Sequence, residues 1–396
     1  MHYIGIDWGL EKHNICVLAA DGKVLSEFRI THDWKGFERL EQLLSPLRDI
    51  QVNIERQDGL LVDWLSEREL TLFVTHPNVI GYRRPRRSKD DRGDAHLLAT
   101  MLRMGDPEVH PMPRQSALVK HLKQLVIAYD DTLNEQRRLG NRLIFNLRQY
   151  YPAVLEAFGV PHSLIVQAFL EAYPTPEASQ ALTLEALRTF LRTNGYSQMQ
   201  CLEKIYAALQ TRYPRASMSA GHVQAVLTLA PLLRALHQQR SRLKKEMLKV
   251  FKQHPDAAWW RGFPGAHGEL TPVRLLAWIG DDRSRFPSPE VLQAIAGTAP
   301  ITRRSGKQQR VEFRHACSHP LRNAVDDLAR HSLPKSGWAR SYFYDQIAKG
   351  HGKSRAYRAL ANRWLKIIWT LWKSGEKYDE AKHLANRSHH GRAVTA

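Results

Sequence analysis

The chain has 396 residues, is 43% hydrophobic, and carries 58 Lys and Arg against 39 Asp and Glu, a formal net charge of +19. That size allows two or three domains with sizeable cores, and a globular chain this basic is suited to a polyanionic partner. Three scattered cysteines (Cys16, Cys201, Cys317), nineteen histidines without HExxH or C2H2 spacing, and the lack of any signal peptide or ~20-residue apolar run argue against a disulfide framework, a cysteine-rich zinc site, secretion and a membrane span, and so for a soluble protein of a reducing cytoplasm.

Residues 3–8 read as a short buried strand. Asn14–Leu18 and Val24–Ile30 read as two more, joined through the turn Ala20-Asp21-Gly22-Lys23. Phe37, Leu40, Leu43, Leu44 and Leu47 have helical spacing that stops near Pro46. Val52–Glu55 is strand-like, Leu60, Leu61, Trp64 and Leu65 suit a helix, and Thr71–Thr75 is a fifth strand. A basic stretch, GYRRPRRSKDDR, precedes a helix with Ala95, Leu98 and Leu102 on one face. This order is a three-stranded meander, helix, strand, helix, strand, helix: the order of the ribonuclease H superfold, shared with variations by actin and the sugar kinases.

Pro107, Pro111 and Pro113 mark residues 106–116 as a linker. A long helix follows, with a heptad-like stripe from Leu118 through Leu122, Leu125 and Tyr129 to Leu139 and Leu143, broken at Thr132 and Gln136. A second stripe runs from Leu229 to Val250. These helices can pair within one chain or between subunits, as a coiled coil or as an ordinary bundle core. Residues 153–220 read as helical, interrupted by prolines and without legible chemistry. RGFPGAHGELTPVRLLAWIGD places a glycine-rich turn before a helix, an arrangement that can aim backbone N–H groups at DNA phosphates. ITRRSGKQQRVEFRHACSHPLR follows, then helices to about residue 385 and a tail expected to be disordered.

Four carboxylates fall where a strand ends or a helix begins: Asp7 in YIGIDWG, Glu55 in VNIERQ, and Asp91 with Asp94 in DDRGDA. Asp91 and Asp94 are three apart, so a helix shows both on one face. Like charges held this close need a cation or a proton between them, and hard oxygen ligands suit Mg2+ (or Mn2+). A two-ion clamp of this kind stabilises the attacking and leaving oxygens of phosphoryl transfer. Blander readings stand beside each residue. Asp91 and Asp94 could be solvated acids at a helix start, and Glu55 a surface residue replaceable by Asp58. Asp7 could belong to the first phosphate loop of a sugar kinase, although Leu10-Glu11-Lys12 follows where small hydroxyl residues are usual.

Arg303-Arg304-Ser305-Gly306-Lys307 sets a hydroxyl among three cations. Cations hold a phosphodiester and lower the cost of a forming alkoxide, and glycine lets backbone approach a phosphate. The alternative is a phosphate-contacting turn with a bystander serine. Ser318, in CSHP, competes with less cationic support. Candidate nucleic-acid contacts are Arg83, Arg84, Arg86, Arg87, Lys89, Arg303, Arg304, Lys307 and Arg310.

Taken together, these segments resemble the IS-one-ten family of insertion-sequence transposases, also called bridge-RNA-guided recombinases. Lys89-Asp90-Asp91-Arg92-Gly93-Asp94-Ala95 matches that family's KxDxxDA-type motif, with Asp90 where Thr is frequent. Phe263-Pro264-Gly265, Leu275–Asp281, AGTAPITRRSGK and GHGKSRAYRALANRWLKIIWTLWKSGEKYD resemble successive parts of its C-terminal domain. HACSHP, over His315–Pro320, departs from the usual Lys-Arg-Gly-Asn.

The resemblance implies an α/β plus α architecture. A RuvC-like, RNase H-like DEDD domain with a mixed five-stranded sheet would span 1–112, a coiled-coil-like helical middle 113–255, and a mainly helical transposase domain 256–385, before a disordered tail 386–396. It assigns Asp7, Glu55, Asp91 and Asp94 to metal binding and catalysis, and Ser305 to attack on DNA with a covalent phosphoserine link. The composite site could form across subunits. Implied partners are target and donor DNA, a guide (bridge) noncoding RNA that reads sequence by base pairing, and further copies of the chain as a dimer or tetramer, with no membrane. The implied setting is the cytoplasm of a bacterium or archaeon, associated with the nucleoid. The other readings are a RuvC-type hydrolytic junction nuclease, in which water attacks and Ser305 only binds, and a non-catalytic nucleic-acid-binding protein.

Overall fold

A computed structural model describes all residues except 69, 84–90, 161–162, 215–218, 267, 269, 306–307 and 386–396, and the backbone alone at 219, 303–305 and 308. The described chain forms two compact units, Met1–Arg114 and Gln115–Ala396.

The first unit is a six-stranded mixed sheet with helices on both faces. Its strands are β1 (His2–Asp7), β2 (Lys12–Ala19), β3 (Val24–Thr31), β4 (Ile50–Ile54), β5 (Thr71–Val74) and β6 (His110–Pro111). They lie in the order β3-β2-β1-β4-β5-β6. β1, β2 and β3 form an antiparallel meander, β4 and β5 run parallel to β1, and β6 pairs antiparallel with β5. The meander, the helices and five strands follow the sequence pattern closely. The sixth strand corrects it. The proline-marked stretch expected to be a linker pairs Phe73 with Pro111 and Val74 with His110. Proline is tolerated there because this strand lies on the edge of the sheet.

Period-two alternation divides the strands between two faces. Ile4, Ile6, Ile15, Val17, Val52 and Ile54 join one core with Phe37, Leu40 and Leu44 of α1 (Trp34–Leu44) and Leu61, Val62 and Leu65 of α2 (Leu60–Glu67). Asp33 caps α1, its carboxylate accepting from the Gly36 amide at 2.8 Å. A short helix the sequence did not suggest, α3 (Pro77–Arg83), opens the basic stretch. The opposite face of the sheet receives α4 (Asp91–Arg103).

That second interface is narrow. A Cβ on Gly5 would lie 2.0 Å from the Ala95 carbonyl oxygen and 2.4 Å from the Ala99 amide nitrogen. Only a glycine on β1 and alanines on α4 allow this approach. Asn53 reinforces it from β4: its Nδ2 donates to the Leu98 carbonyl at 2.9 Å, and its Oδ1 accepts from Thr75 Oγ1 at 3.0 Å.

The second unit is mostly helical. α5 (Ala117–Tyr150) and α11 (Ser219–Gln253) are long helices that pack on each other. Val119, Leu122, Val126 and Tyr129, near the start of α5, share a core with Met247, Val250 and Phe251 near the end of α11. Leu143 and Leu147, near the end of α5, share another with Val226, Leu229 and Leu233 near the start of α11. The two therefore run antiparallel, and the two apolar stripes meet within one chain. The second of these cores is completed by short helices α6 (Pro152–Phe158), α7 (Leu164–Ala172), α9 (Leu184–Thr193) and α10 (Leu202–Leu209), with α8 (Pro176–Gln180) beside α10.

The first core is closed by α12 (Ala257–Arg261), α13 (Thr271–Ile279), α14 (Pro289–Ile295), α15 (His319–Ser332), α16 (Gly337–Ala348) and α17 (Lys353–Ser374). Trp260, Trp364 and Trp372 are fully buried there. Gly265 repeats the logic of Gly5, since a Cβ would meet the Leu328 carbonyl at 2.2 Å. One feature departs from the mainly helical expectation: β7 (Ile301–Ser305) and β8 (Gln308–Glu312) form an antiparallel pair, with Ser305 opposite Gln308. No helix among the described residues is long and apolar enough to cross a membrane.

Gly5→Ala is expected to destabilise the first unit by about 1–3 kcal/mol or more, because backbone on both sides must move to admit the methyl group. Denaturant midpoints of the two proteins measure this, and an unchanged midpoint would contradict the contact.

Candidate acid cluster and serine hairpin

Asp7 ends β1, and its position in the strand alternation puts it on the α4 face with Gly5. It is 8% exposed, and Asp94, one turn into α4, is 3% exposed. Glu55 directly follows β4 and is half-buried, while Asp91 begins α4 and is exposed. The chain thus brings three segments, distant in sequence, to one end of the sheet. Burial, then the charges of Glu55, Asp91 and Asp94, push the Asp7 carboxyl up to about 7, against a lowering hydrogen bond from Asn14. Asn14 Nδ2 donates to Asp7 Oδ2 at 3.5 Å, and Asn14 Oδ1 accepts from Arg29 Nε at 2.9 Å. Asp58 sits differently: it pairs with Arg56 at 3.2 Å.

The turn after Asp7 is fixed by an imidazole pair. His13, fully buried, accepts from the Gly9 amide at Nδ1 (3.3 Å), which leaves the proton on Nε2 to donate to His32 Nδ1 at 2.7 Å. Burial, assisted by His32, pulls the His13 pKa down to about 4, so the ring stays neutral at physiological pH. Beside the acids, the Arg56 guanidinium stacks 4.2 Å from the centre of the Trp8 ring.

A buried carboxylate facing three others is unfavourable unless a proton or a cation compensates it. All four residues are oxygen donors, which suits a hard divalent ion such as magnesium. Among the described residues, the set of three donor atoms lying within 4.8 Å of one another is a different one: Cys16, Glu27 and His96.

In the second unit Ser305 ends β7, and the backbone of Arg303 and Arg304 precedes it on the same strand. Arg310 lies on β8, exposed. Ser318, the competing serine, is the N-cap of α15 and accepts from the Leu321 amide at 3.4 Å. Pro320 follows in the first helical turn, where it costs no hydrogen bond. HACSHP thus reads locally as a helix start. Arg83 is on α3 and pairs with Asp106 at 3.2 Å. Arg84, Arg86, Arg87, Lys89 and Lys307 lie outside the described residues, as does the tail.

Sequence reading missed a group of arginines behind the hairpin. Arg322 and Arg358 stack on the Phe313 ring, 4.5 and 4.0 Å from its centre. Arg322 Nη2 donates to the Arg314 carbonyl at 2.6 Å, and Arg314 Nε donates to the Ala299 carbonyl at 3.3 Å. Burial raises the Asp326 carboxyl pKa against the pull of Arg330, Arg358 and Arg322. Arg358 does fall inside the closing motif, but sequence spacing gives no sign that it meets Phe313. The Trp8–Arg56 stack was equally invisible, although each residue adjoins one of the acids.

In metal-free protein the folded chain holds the Asp7 proton up to about 7, whereas an unfolded chain releases it near 3.8. The folded state therefore binds more protons across that window. This contribution to stability falls as pH rises from about 4 to about 7, and the penalty is full above that. Asp7→Asn is expected to remove this dependence and to stabilise chelator-treated protein at pH 8 by on the order of 1–4 kcal/mol. Thermal melts of both proteins from pH 4 to 8 test this, and parallel curves would rule it out.

Two family models match the chain. One, described as a transposase and of DEDD type, covers residues 4–152; the other, described as the IS116/IS110/IS902 transposase family, covers 263–344. A mini-circle protein of IS117 from Streptomyces coelicolor is 31% identical over 402 residues, covering 97% of this chain and 96% of that one. The proteins of insertion element IS116 from Streptomyces clavuligerus and IS900 from Mycobacterium paratuberculosis are 24% and 23% identical. They cover 93% and 96% of this chain, and 94% and 97% of their own. An identity above 30% across nearly the whole length, with both domain models in order, places this chain in the IS116/IS110/IS902 family of transposases.

Proposed function

We propose that this transposase cuts and rejoins DNA by a phosphoserine route, with Ser305 as nucleophile and Asp7, Glu55, Asp91 and Asp94 as a divalent-metal site in a ribonuclease-H-like, RuvC-like domain. The observation that carries the metal reading is the burial of the Asp7 and Asp94 carboxyls at the end of the sheet to which Glu55 and Asp91 also converge, with the charges of Glu55, Asp91 and Asp94 all acting to raise the Asp7 pKa. A site that repels its own negative charge is poised for a cation. The sheet order β3-β2-β1-β4-β5 with α4 on one face supports the ribonuclease-H-like reading.

Bound Mg2+ (or Mn2+) would draw charge from phosphate oxygens during cleavage. Asn14 holds the Asp7 carboxylate toward the site, and the neutral His13 holds the turn that follows it. In the second unit Ser305 loses its hydroxyl proton as its Oγ bonds to phosphorus. The bond from phosphorus to the leaving sugar oxygen breaks, and that oxygen takes up a proton. Attack by a sugar hydroxyl of the exchanging strand reverses these steps and frees the serine. Each phosphodiester broken is replaced by another ester bond, so rejoining needs no external energy source. Arg303, Arg304, Lys307 and Arg310 would bind the phosphate backbone, as would Arg83, Arg84, Arg86, Arg87 and Lys89.

A net charge of +19 supports binding of DNA and of a guide (bridge) noncoding RNA, with sequence read by base pairing. Assembly as a dimer or tetramer completes the reading. Within the second unit, the core around Leu143 and Leu229 would belong to the helical middle, and the core around Trp260 and Trp364 to the C-terminal transposase domain.

Ser305→Ala is expected to abolish the covalent protein–DNA adduct and lower strand transfer by about 10³-fold or more, while Asp7→Asn in Mg2+ abolishes cleavage. Denaturing gels with labelled donor and target DNA and co-purified RNA measure both. Cleavage that persists in Ser305→Ala without an adduct would replace this reading with a hydrolytic nuclease. Unchanged recombination in Asp7→Asn would refute the metal site.

A further inference from the structure

His96 lies on α4, two residues past Asp94, and reaches back to the sheet. Its Nδ1 is 3.5 Å from Cys16 Sγ on β2 and 3.5 Å from Glu27 Oε1 on β3. All three donor atoms lie within 4.8 Å of one another. Cys16 is 1% exposed, whereas the His96 and Glu27 side chains are 45% and 43% exposed. The group is therefore closed on the sulfur side and open on the other.

The His96–Cys16 separation suits a weak sulfur hydrogen bond and the His96–Glu27 separation a long ion pair, and both also fit ligands around an ion. At 3.5 Å the His96–Glu27 contact is long and weak, so an ion can replace it at little cost. Zinc bonds of about 2.3 Å to sulfur and 2.0–2.1 Å to nitrogen or oxygen, at tetrahedral angles, set neighbouring ligand atoms about 3.4–3.6 Å apart. His96 Nδ1 lies one such edge from each partner. Thiolate, imidazole and carboxylate together favour a borderline-soft ion over magnesium. Three protein ligands leave a fourth position for water. A cavity of about 150 Å3 lined by Asn14, Glu27, Arg29 and Arg92 gives access to one of the ligands.

We infer that Cys16, Glu27 and His96 bind a zinc-type divalent transition-metal ion, at a site separate from the four acids. On entry the Cys16 S–H bond breaks, its proton leaves to solvent and a sulfur–metal bond forms, with no change of oxidation state. The ion would tie α4, which carries Asp91 and Asp94, to β2 and β3 by coordination bonds. The inference does not depend on the phosphoserine route.

Full-length protein stripped with chelator and dialysed is titrated with Co2+ in the presence of excess Mg2+. The expected result is one equivalent of a thiolate-to-cobalt charge-transfer band, displaced by Zn2+ and retained in Asp7→Asn. Cys16→Ser and His96→Asn are expected to abolish the band, and Glu27→Gln to weaken Co2+ binding by about 10-fold or more. His96 and Glu27 are partly exposed, so their variants decide the question even if Cys16→Ser does not fold. Absence of a thiolate band in the unaltered protein, or an equal band in His96→Asn and Glu27→Gln, would overturn the assignment, the latter pointing to Cys201 or Cys317.

Discussion

In the first unit β1 meets α4 backbone to backbone at Gly5, with no side chain between them. Everything else at that end of the sheet depends on this contact. A helix resting on larger side chains would stand several ångströms further out, near the ordinary ~10 Å layer spacing. Asp91 and Asp94 would then lie too far from Asp7 to act on it. Ala95 and Ala99 keep the helix side equally thin, and Asn53 satisfies the Leu98 carbonyl that so close a contact buries.

Beyond that contact, Asp7, Asn14, Cys16 and Asn53 lie on the α4 face beside Leu18, while the other face is mainly aliphatic apart from His13. Ile4, Ile6, Ile15 and Val17 make an ordinary hydrophobic core with α1 and α2. Asp7, Asn14, Cys16 and Asn53 share the face where α4 lies, and each is held by named partners. One face of the sheet thus supplies stability through area, at roughly 25 cal/mol per Å2 of apolar surface, and the other carries positioned polar atoms. The second unit divides labour in a similar way. Its tryptophan-rich core anchors α15 and α17, and those helices present Arg322 and Arg358 to Phe313 beside the serine hairpin.

Much of this was legible in the sequence because the signals are local. Alternation in YIGID and NICVL, the helical spacing around Leu40 and Leu98, and the two long stripes each report a single element's environment. The acids were legible because an Asp at the end of an apolar strand needs a reason to be there. Most of what was missed depends on distant residues meeting. The pairing of His110 with Val74 joins a strand to a stretch that proline content marked as a connector. The β7–β8 pair has charged residues along both strands and too few apolar positions to show alternation. Cys16, Glu27 and His96 have no common spacing, because their grouping arises from the meander and the crossover to α4. The guanidinium stacks on Trp8 and Phe313 are likewise products of the folded surface.

The strand alternation has a consequence for where this chain can change length. Loss of Gly5 from β1 would rotate the remainder of the strand by half a turn. Asp7 would then point into the aliphatic layer under α1, and an isoleucine would take the place that only glycine fits against α4. A frame error of one position would therefore damage both layers together. Insertions and deletions are tolerable only at the connections, such as the Asp21-Gly22 corner, which places a constraint on spacing wherever the identity of surrounding residues is free to drift.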